Sequence, residues 1–235
     1  MTKNEMREKL LLIEKEYNLK SVTSDKGRVY RSSKGNEYPS VTTILSKTKD
    51  KKFLIEWKKK VGEKEANRIT KAATNRGTSM HKMIEDFYAG IEVKTDNLVA
   101  RELYNSIKKE LLRLEPIVLE YPLFSDKLMV AGRTDCIGSF DDKLSIIDFK
   151  SSKKLKRLSW VEDYFIQTTL YSLMLFEMTG IMCKNMVLLI AVENDSPQVF
   201  ESAVKDYVGV ALTRVKDYYS LNNDTTLTEE HYLME

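Results

Sequence analysis

The stretch "GRTDCIGSFDDKLSIIDFKSS" runs from Gly132 to Ser152. Its β-branched and apolar residues alternate as in two strands, with a turn at Asp141-Asp142. A two-residue turn there puts Asp135 directly opposite Asp148, with Cβ atoms about 5 Å apart. Like charges so placed are destabilising, and more so in a half-buried sheet. Residues two apart on a strand share a face. Asp135, Asp148 and Lys150 therefore point together to one side, and Ile147 and Phe149 to the other, apolar side. Two readings of the trio stand: an Asp–Lys ion pair on a solvated sheet edge, or carboxylates gathered for a divalent cation, with an ammonium beside them.

The 235 residues are 42% hydrophobic and 31% charged, enough for one sizeable core. The net charge of +3 is too low for a protein that wraps nucleic acid over its whole surface. An anionic partner would have to meet local patches, such as Lys47–Lys60 ("KTKDKKFLIEWKKK") and Lys150–Arg157 ("KSSKKLKR"). Each of these also reads as a solvated face. Cys136 and Cys183 form no CxxC or His/Cys cluster, which disfavours zinc and iron–sulfur sites. A free thiol at Cys136 in a core strand suits a reducing cytoplasm. No stretch approaches the length of a membrane span, and the N-terminus does not read as a signal peptide.

Outward from the hairpin, residues 1–20 read as a charged amphipathic helix. "RVYR" and a second short strand flank a Lys34-Gly35-Asn36 turn. Ser40 reads as the N-cap of a helix in "SVTTILS". Helices are predicted over Phe53–Ala73, over "GTSMHKMIEDFYAG" closed by Gly90, and over Leu98–Leu114. From Pro116, three β-rich segments form an antiparallel meander. A helix over "SWVEDYFIQTTLYSLMLFEMTG" follows, with Ser159 and Glu162 at capping-box spacing and Gly180 at its end. "NMVLLIAV" reads as a strand buried on both faces, Phe200–Tyr219 as a last helix, and the tail after Leu221 as loose. The expected architecture is α/β: a central mixed sheet with an antiparallel meander, flanked by helices. It forms one domain with an N-terminal helical and hairpin region (1–75), a core (76–200) and a C-terminal helix and tail (200–235).

Two further groups bear on the trio. Gly77, His81 and Glu85 recur at i, i+4 on one helix face, and His81 is one of two histidines in the chain, the other being His231. Gln167 and Tyr171 share a face of the helix after the hairpin. Each group reads equally as partly buried polar packing.

In order along the chain the motifs are GxxxHxxxE (Gly77, His81, Glu85), GxxD (Gly132, Asp135), DxK (Asp148, Lys150) and QxxxY (Gln167, Tyr171). Together they resemble the RecB-type exonuclease branch of the PD-(D/E)XK nuclease superfamily. "YPSVTTIL" (Tyr38 to Leu45) looks like the segment that opens the mitochondrial genome maintenance exonuclease group and its phage relatives. The resemblance covers about Tyr38 to Gly180. It implies a restriction-endonuclease-like fold, and Mg²⁺ or Mn²⁺ held by His81, Asp135, Asp148 and the carbonyl of Phe149. Lys150 is then the catalytic lysine, acting with Asp135 and Asp148. Gln167, Tyr171, Ser151, Lys153, Tyr38 and Ser40 are expected to meet substrate, and Gly77, Glu85 and Glu120 to support the site.

The implied activity is metal-dependent hydrolysis of DNA, as an exonuclease on single strands or ends, in replication, recombination or repair. The alternatives are a flap or junction endonuclease, or a non-cleaving nucleic-acid-binding module of the same fold. With two cysteines, the chain falls in the group without an iron–sulfur cluster. No helicase motor is read in the sequence, so any unwinding comes from a partner, such as a helicase or a single-strand-binding or annealing protein, or is not needed. The location implied is the cytoplasm of a bacterial or phage-infected cell. Trp57 and Trp160 are expected to pack in the core.

Overall fold

The computed structural model describes residues 2–25 and 27–221. The chain opens with α1 (Lys3–Tyr17), started by a capping box from Thr2 and Glu5. A small antiparallel sheet follows: β1 (Lys20–Ser24), β2 (Gly27–Arg31) and β3 (Glu37–Pro39). Then come four helices: α2 (Val41–Thr48), α3 (Lys52–Val61), α4 (Glu63–Tyr88) and α5 (Leu98–Leu111). The meander is β4 (Leu114–Ser125), β5 (Val130–Phe140) and β6 (Lys143–Ser152). After α6 (Glu162–Thr179) come β7 (Asn185–Val192), β8 (Gln198–Ala203) and α7 (Val208–Leu221).

The main sheet has the order β4-β5-β6-β7-β8, antiparallel except for the parallel pair β6–β7. That parallel pair needs a crossover, which α6 supplies. One sheet face, with Ile137 and Ile146, packs against α1, α2, α6 and α7. The other, with Cys136, Ile147 and Phe149, packs against α4 and α5. The architecture is thus a mixed sheet between helical layers, as the sequence predicts.

Asp141 and Asp142 both have positive φ, 44° and 63°, the signature of a two-residue type I′ turn. Arg113 reaches the turn, with its Nε donating to Asp141 Oδ1 at 3.0 Å. The register is the predicted one: Phe140 faces Lys143 and Cys136 faces Ile147. Pairing of β5 with β6 stops there. β6 continues alongside β7 to Ser152, and β5 alongside β4 to Val130. The sheet forks, and Asp135 and Asp148 sit at the apex of the fork.

Several expectations give way. The helices predicted over Phe53–Ala73 and from Gly77 onward are instead broken at Gly62, whose φ of 83° ends α3, and are continuous through Gly77. An interior glycine costs only about 1 kcal/mol, which the packed face of α4 offsets. Ser159 does not cap α6. It lies in a 3₁₀ turn, and Val161 stands at the N-cap with no side-chain bond. Phe200–Tyr219 is not one helix, since β8 occupies its start and pairs with the outer edge of β7. A strand buried on both faces needs hydrogen bonds on both edges, and that demand overrides helical periodicity. α5 stops at Leu111, and Leu114 already belongs to β4. β1 is not among the predicted strands: it is exposed throughout, with Val22 its one apolar residue. Trp160 is 58% exposed rather than core, and Trp57 is half-buried. The tail after Leu221, with His231, lies outside the described residues.

Candidate active site at the sheet fork

Where β5 leaves β6, the Asp135 carboxylate takes over a backbone donor: Phe149 N–H donates to Asp135 Oδ2 at 2.7 Å. Asp148 is buried on the α6 face, where Gln167 Nε2 donates to its Oδ1 at 3.2 Å. The same amide group meets the Tyr171 hydroxyl at 3.1 Å, so the Gln167–Tyr171 pair of α6 aims at the acid. Gly132 makes room for that ring, because a Cβ there would stand 2.5 Å from Tyr171 Cε1. Lys150 Nζ lies 2.5 Å from Asp148 Oδ2 and 5.1 Å from the Tyr164 ring centroid.

His81 comes from α4 on the far side of the sheet. Its Nε2 bonds the Phe149 carbonyl at 2.8 Å, leaving Nδ1 3.6 Å from Glu120 Oε1 and 3.7 Å from Asp135 Oδ1. Glu120 stands opposite Asp135, between the pairs Leu119–Cys136 and Tyr121–Thr134. Its φ of 48° is left-handed, a conformation that costs a non-glycine residue about 1–2 kcal/mol. This local distortion accompanies a carboxylate that reaches into the site. A cleft of about 520 Å³ opens above these groups, and its walls include Arg28, Ser40, Gly77, Lys82, Glu85 and Arg133.

The site holds more acid than its neighbours neutralise. Burial works against a charged His81 ring, but Asp135 and then Glu120 outweigh it and push the ring up to about 9. Burial raises the Asp148 carboxyl even though Lys150 pulls it down. Burial also opposes the Lys150 charge, and Asp148 and Asp135 together overcome that and raise it. Glu85 is raised by burial and then by Glu120.

His81, Glu120 and Asp135 can present ligand atoms within 4.8 Å of one another, a set suited to a metal ion. Asp148 Oδ2 is buried with the Lys150 ammonium 2.5 Å away, and Asp135 and His81 also act on its charge. A buried carboxylate sharing one ammonium, beside three converging ligands, fits a hard divalent cation.

No family model matches the chain. The chain is similar to mitochondrial genome maintenance exonuclease 1. It is 29% identical to the Homo sapiens protein over 145 residues, covering 57% of this chain and 40% of that one. For the Mus musculus protein the identity is 30% over 137 residues, covering 52% and 39%. The chain therefore spans about two fifths of the length of these relatives. A solved structure from Eubacterium rectale, named provisionally as an exonuclease, overlaps 64% of this chain and 69% of its own at 12% identity. Its TM-score of 0.44 is too low to argue from.

The fork thus brings together His81, Glu120, Asp135, Asp148, Phe149, Lys150, Gln167 and Tyr171. Gly77 and Glu85 line the cleft. Ser40 backs it, but its hydroxyl is committed to α2, accepting from Thr43 N–H at 3.0 Å. Ser151 is half-buried beside Arg76, and Lys153 is exposed on the following loop. Tyr38 does not reach the cleft surface: it is fully buried, with its hydroxyl donating to Asp126 Oδ1 at 2.5 Å. Its polar tip is satisfied inside the fold, so it offers no stacking face. The sequence reading missed Arg28 and Arg133 as cleft residues, since an arginine on a strand carries no local signal of what it faces. It also treated Glu120 as support, whereas the structure brings Glu120, rather than Asp148, into the compact three-residue group.

Proposed function

We propose that this chain is a divalent-metal-dependent deoxyribonuclease, acting as an exonuclease on single strands or DNA ends. The observation that carries the reading is the convergence of partly buried Glu120 and Asp135 and buried Asp148 at the fork beside Lys150. The named relatives support it, being exonucleases by name. His81, Glu120, Asp135 and Asp148 would hold Mg²⁺ or Mn²⁺. When bound, such an ion supplies Lewis acidity and a water of lowered pKa.

The chain's own residues do the rest. Asp148 and Asp135 favour the charged form of Lys150, which then assists the attacking water or offsets negative charge developing on a phosphoryl group. Gln167 fixes the orientation of Asp148. Arg28, Arg133 and Lys82 give the cleft wall cations for backbone phosphates.

Outside the cleft, α3 offers a second surface that a strand could meet. α3 buries no residue and carries Lys52, Lys58, Lys59 and Lys60 beside Phe53, which is 80% exposed. Trp160, 58% exposed, lies on a second cleft of about 690 Å³ whose charged lining is mixed, with Lys49, Lys156 and Arg214 beside Asp50, Glu162 and Asp163. Cations interleaved with exposed aromatic rings suit single-stranded nucleic acid.

The test is a product-length time course with Mg²⁺ or Mn²⁺ on 5′- and 3′-labelled single- and double-stranded DNA, with Lys150→Ala as control. Stepwise shortening that spares circular single-stranded DNA is the expected result. Cutting of the circle would assign an endonuclease. Binding with no cleavage in either metal would overturn the enzymatic reading.

A further inference from the structure

Arg76 has no part in the chemistry above, yet it is 7% exposed and carries a full charge into the fold. It does not line the cleft. Its guanidinium ion-pairs through Nη1 with Glu193, just beyond β7, and its Nε points to Ser151 Oγ at 3.5 Å. Glu193 in turn donates its backbone N–H to the carbonyl of Ser152 at 2.9 Å. Three segments therefore meet at one side chain: the middle of α4, the C-terminal end of β6 and the turn after β7. Arg76 lies just over one helical turn before His81, and Ser151 directly follows Lys150. α4 runs within van der Waals reach of the end of β6 here, since a Cβ at Gly77 would meet Ser151 Oγ at 3.9 Å.

The geometry has a consequence for the fork. His81 approaches from one layer, while Asp148, the Phe149 carbonyl and Lys150 belong to the sheet. The His81–Phe149 bond, one residue before Lys150, is the direct tie between them within the site. Such a tie could slide or tilt when a ligand competes for the ring. A rigid, planar, two-sided arginine fork on the next turn removes that freedom.

We infer that Arg76 and Glu193 are positioning residues that hold α4 against the end of β6, so that His81 and the Asp148–Lys150 pair keep one geometry for the ion. The inference rests on the nuclease reading for its kinetic arm only. Groups that orient metal ligands typically change affinity or activity by about 10–100-fold when altered.

The experiment uses the full chain with Arg76→Lys, Arg76→Met and Glu193→Gln. It measures Mn²⁺ binding by electron paramagnetic resonance without DNA, kcat and KM on single-stranded DNA, and the melting temperature of each variant. Expected is a loss of about tenfold or more in Mn²⁺ affinity and kcat for Glu193→Gln and Arg76→Met, with KM within about twofold. Arg76→Lys should recover part, because it restores the charge but not the fork. Should Arg76→Met fail to fold, the two milder variants decide. Folded variants that lower only the melting temperature, with kcat and Mn²⁺ affinity within about twofold of wild type, would reduce the pair to scaffolding and overturn the inference. A rise in KM alone would make Arg76 a substrate contact and also overturn it. If the wild-type chain binds Mn²⁺ but cleaves nothing, the nuclease reading falls and the binding arm alone judges Arg76. If it binds no Mn²⁺, both fall.

Discussion

Two acidic centres meet the N-terminal half of α6 about one turn apart, at Asp163 and at Gln167, and they are built to opposite rules. Asp163, at its first turn, meets two cations: Lys49 Nζ at 2.5 Å and Arg214 Nη1 at 3.0 Å. Arg214 is itself fixed by Thr48 Oγ1 and the Leu45 carbonyl, each at 2.6 Å. Although burial opposes it, this company holds the Asp163 carboxyl below its usual range. At the fork the balance is reversed, with Glu120, Asp135 and Asp148 sharing Lys150 and a histidine whose charge depends on pH. The first centre ties α2, α6 and α7 together. The second sets three carboxylates around a single lysine. Acid met by fixed cations marks scaffold, and acid left over marks a place prepared for a cation from outside.

The most direct way to break this contrast is to neutralise the surplus. Asp148→Asn should lower DNA hydrolysis by about 10³-fold, the scale of several kcal/mol of lost charge stabilisation. Its urea stability without metal should hold or rise, since a like charge has been removed from the fork. Hydrolysis within tenfold of wild type would show that Asp148 is only a partner for Lys150.

The two centres also titrate at opposite ends. His81 is raised to about 9 from 6.5, so its contribution is complete below about pH 6.5 and is lost as pH rises through 9. At 1.36 kcal/mol per unit this caps near 3 kcal/mol. Asp163 is lowered, so its contribution is present above its unfolded value near 3.8 and is lost as pH falls past it. Metal-free denaturation curves should therefore weaken between about pH 6.5 and 9, and His81→Gln should flatten that limb while leaving the acid limb intact. An alkaline limb unchanged by His81→Gln would remove the ring from the fork's electrostatics.

Much of the fork could be read from the chain because its signals are local. A two-residue turn fixes the register, strand parity puts Asp135, Asp148 and Lys150 on one face, and helical spacing pairs Gln167 with Tyr171. What stayed hidden depends on distant segments. The fork itself arises because β5 follows β4 while β6 follows β7, which no window around the hairpin contains. The left-handed φ of Glu120 has no glycine or asparagine to announce it. Arg76 and Glu193 lie far apart in sequence, and β8 forms because β7 needs a second edge partner. Tyr38 looked like a surface aromatic until Asp126 and Phe124 enclosed it.

The scaffold side of the comparison is sharpened by Asp163→Asn. It should cost about 1–3 kcal/mol, the usual range for charge-assisted hydrogen bonds, because Arg214 is left 14% exposed without its carboxylate. Hydrolysis per folded molecule should stay at the wild-type level, as seen by urea denaturation alongside a DNA assay. A loss of activity that outruns the loss of folded protein would join the two centres into one and end the distinction.

The smallest expected effect separates two costs that Glu120 combines. Its backbone is held left-handed, and its carboxylate adds charge beside Asp135. Glu120→Ala removes the charge and keeps the Cβ that resists positive φ. Glu120→Gly removes both, though glycine gives back part of the gain through a more flexible unfolded chain. In metal-free urea denaturation both variants should gain stability, and glycine should exceed alanine by about 1 kcal/mol. Both should also bind Mn²⁺ more weakly, by about tenfold. If alanine and glycine are equally stable, the left-handed turn carries no strain. If instead both lose stability, Glu120 is held by the protein for its own sake and belongs with Asp163, on the scaffold side.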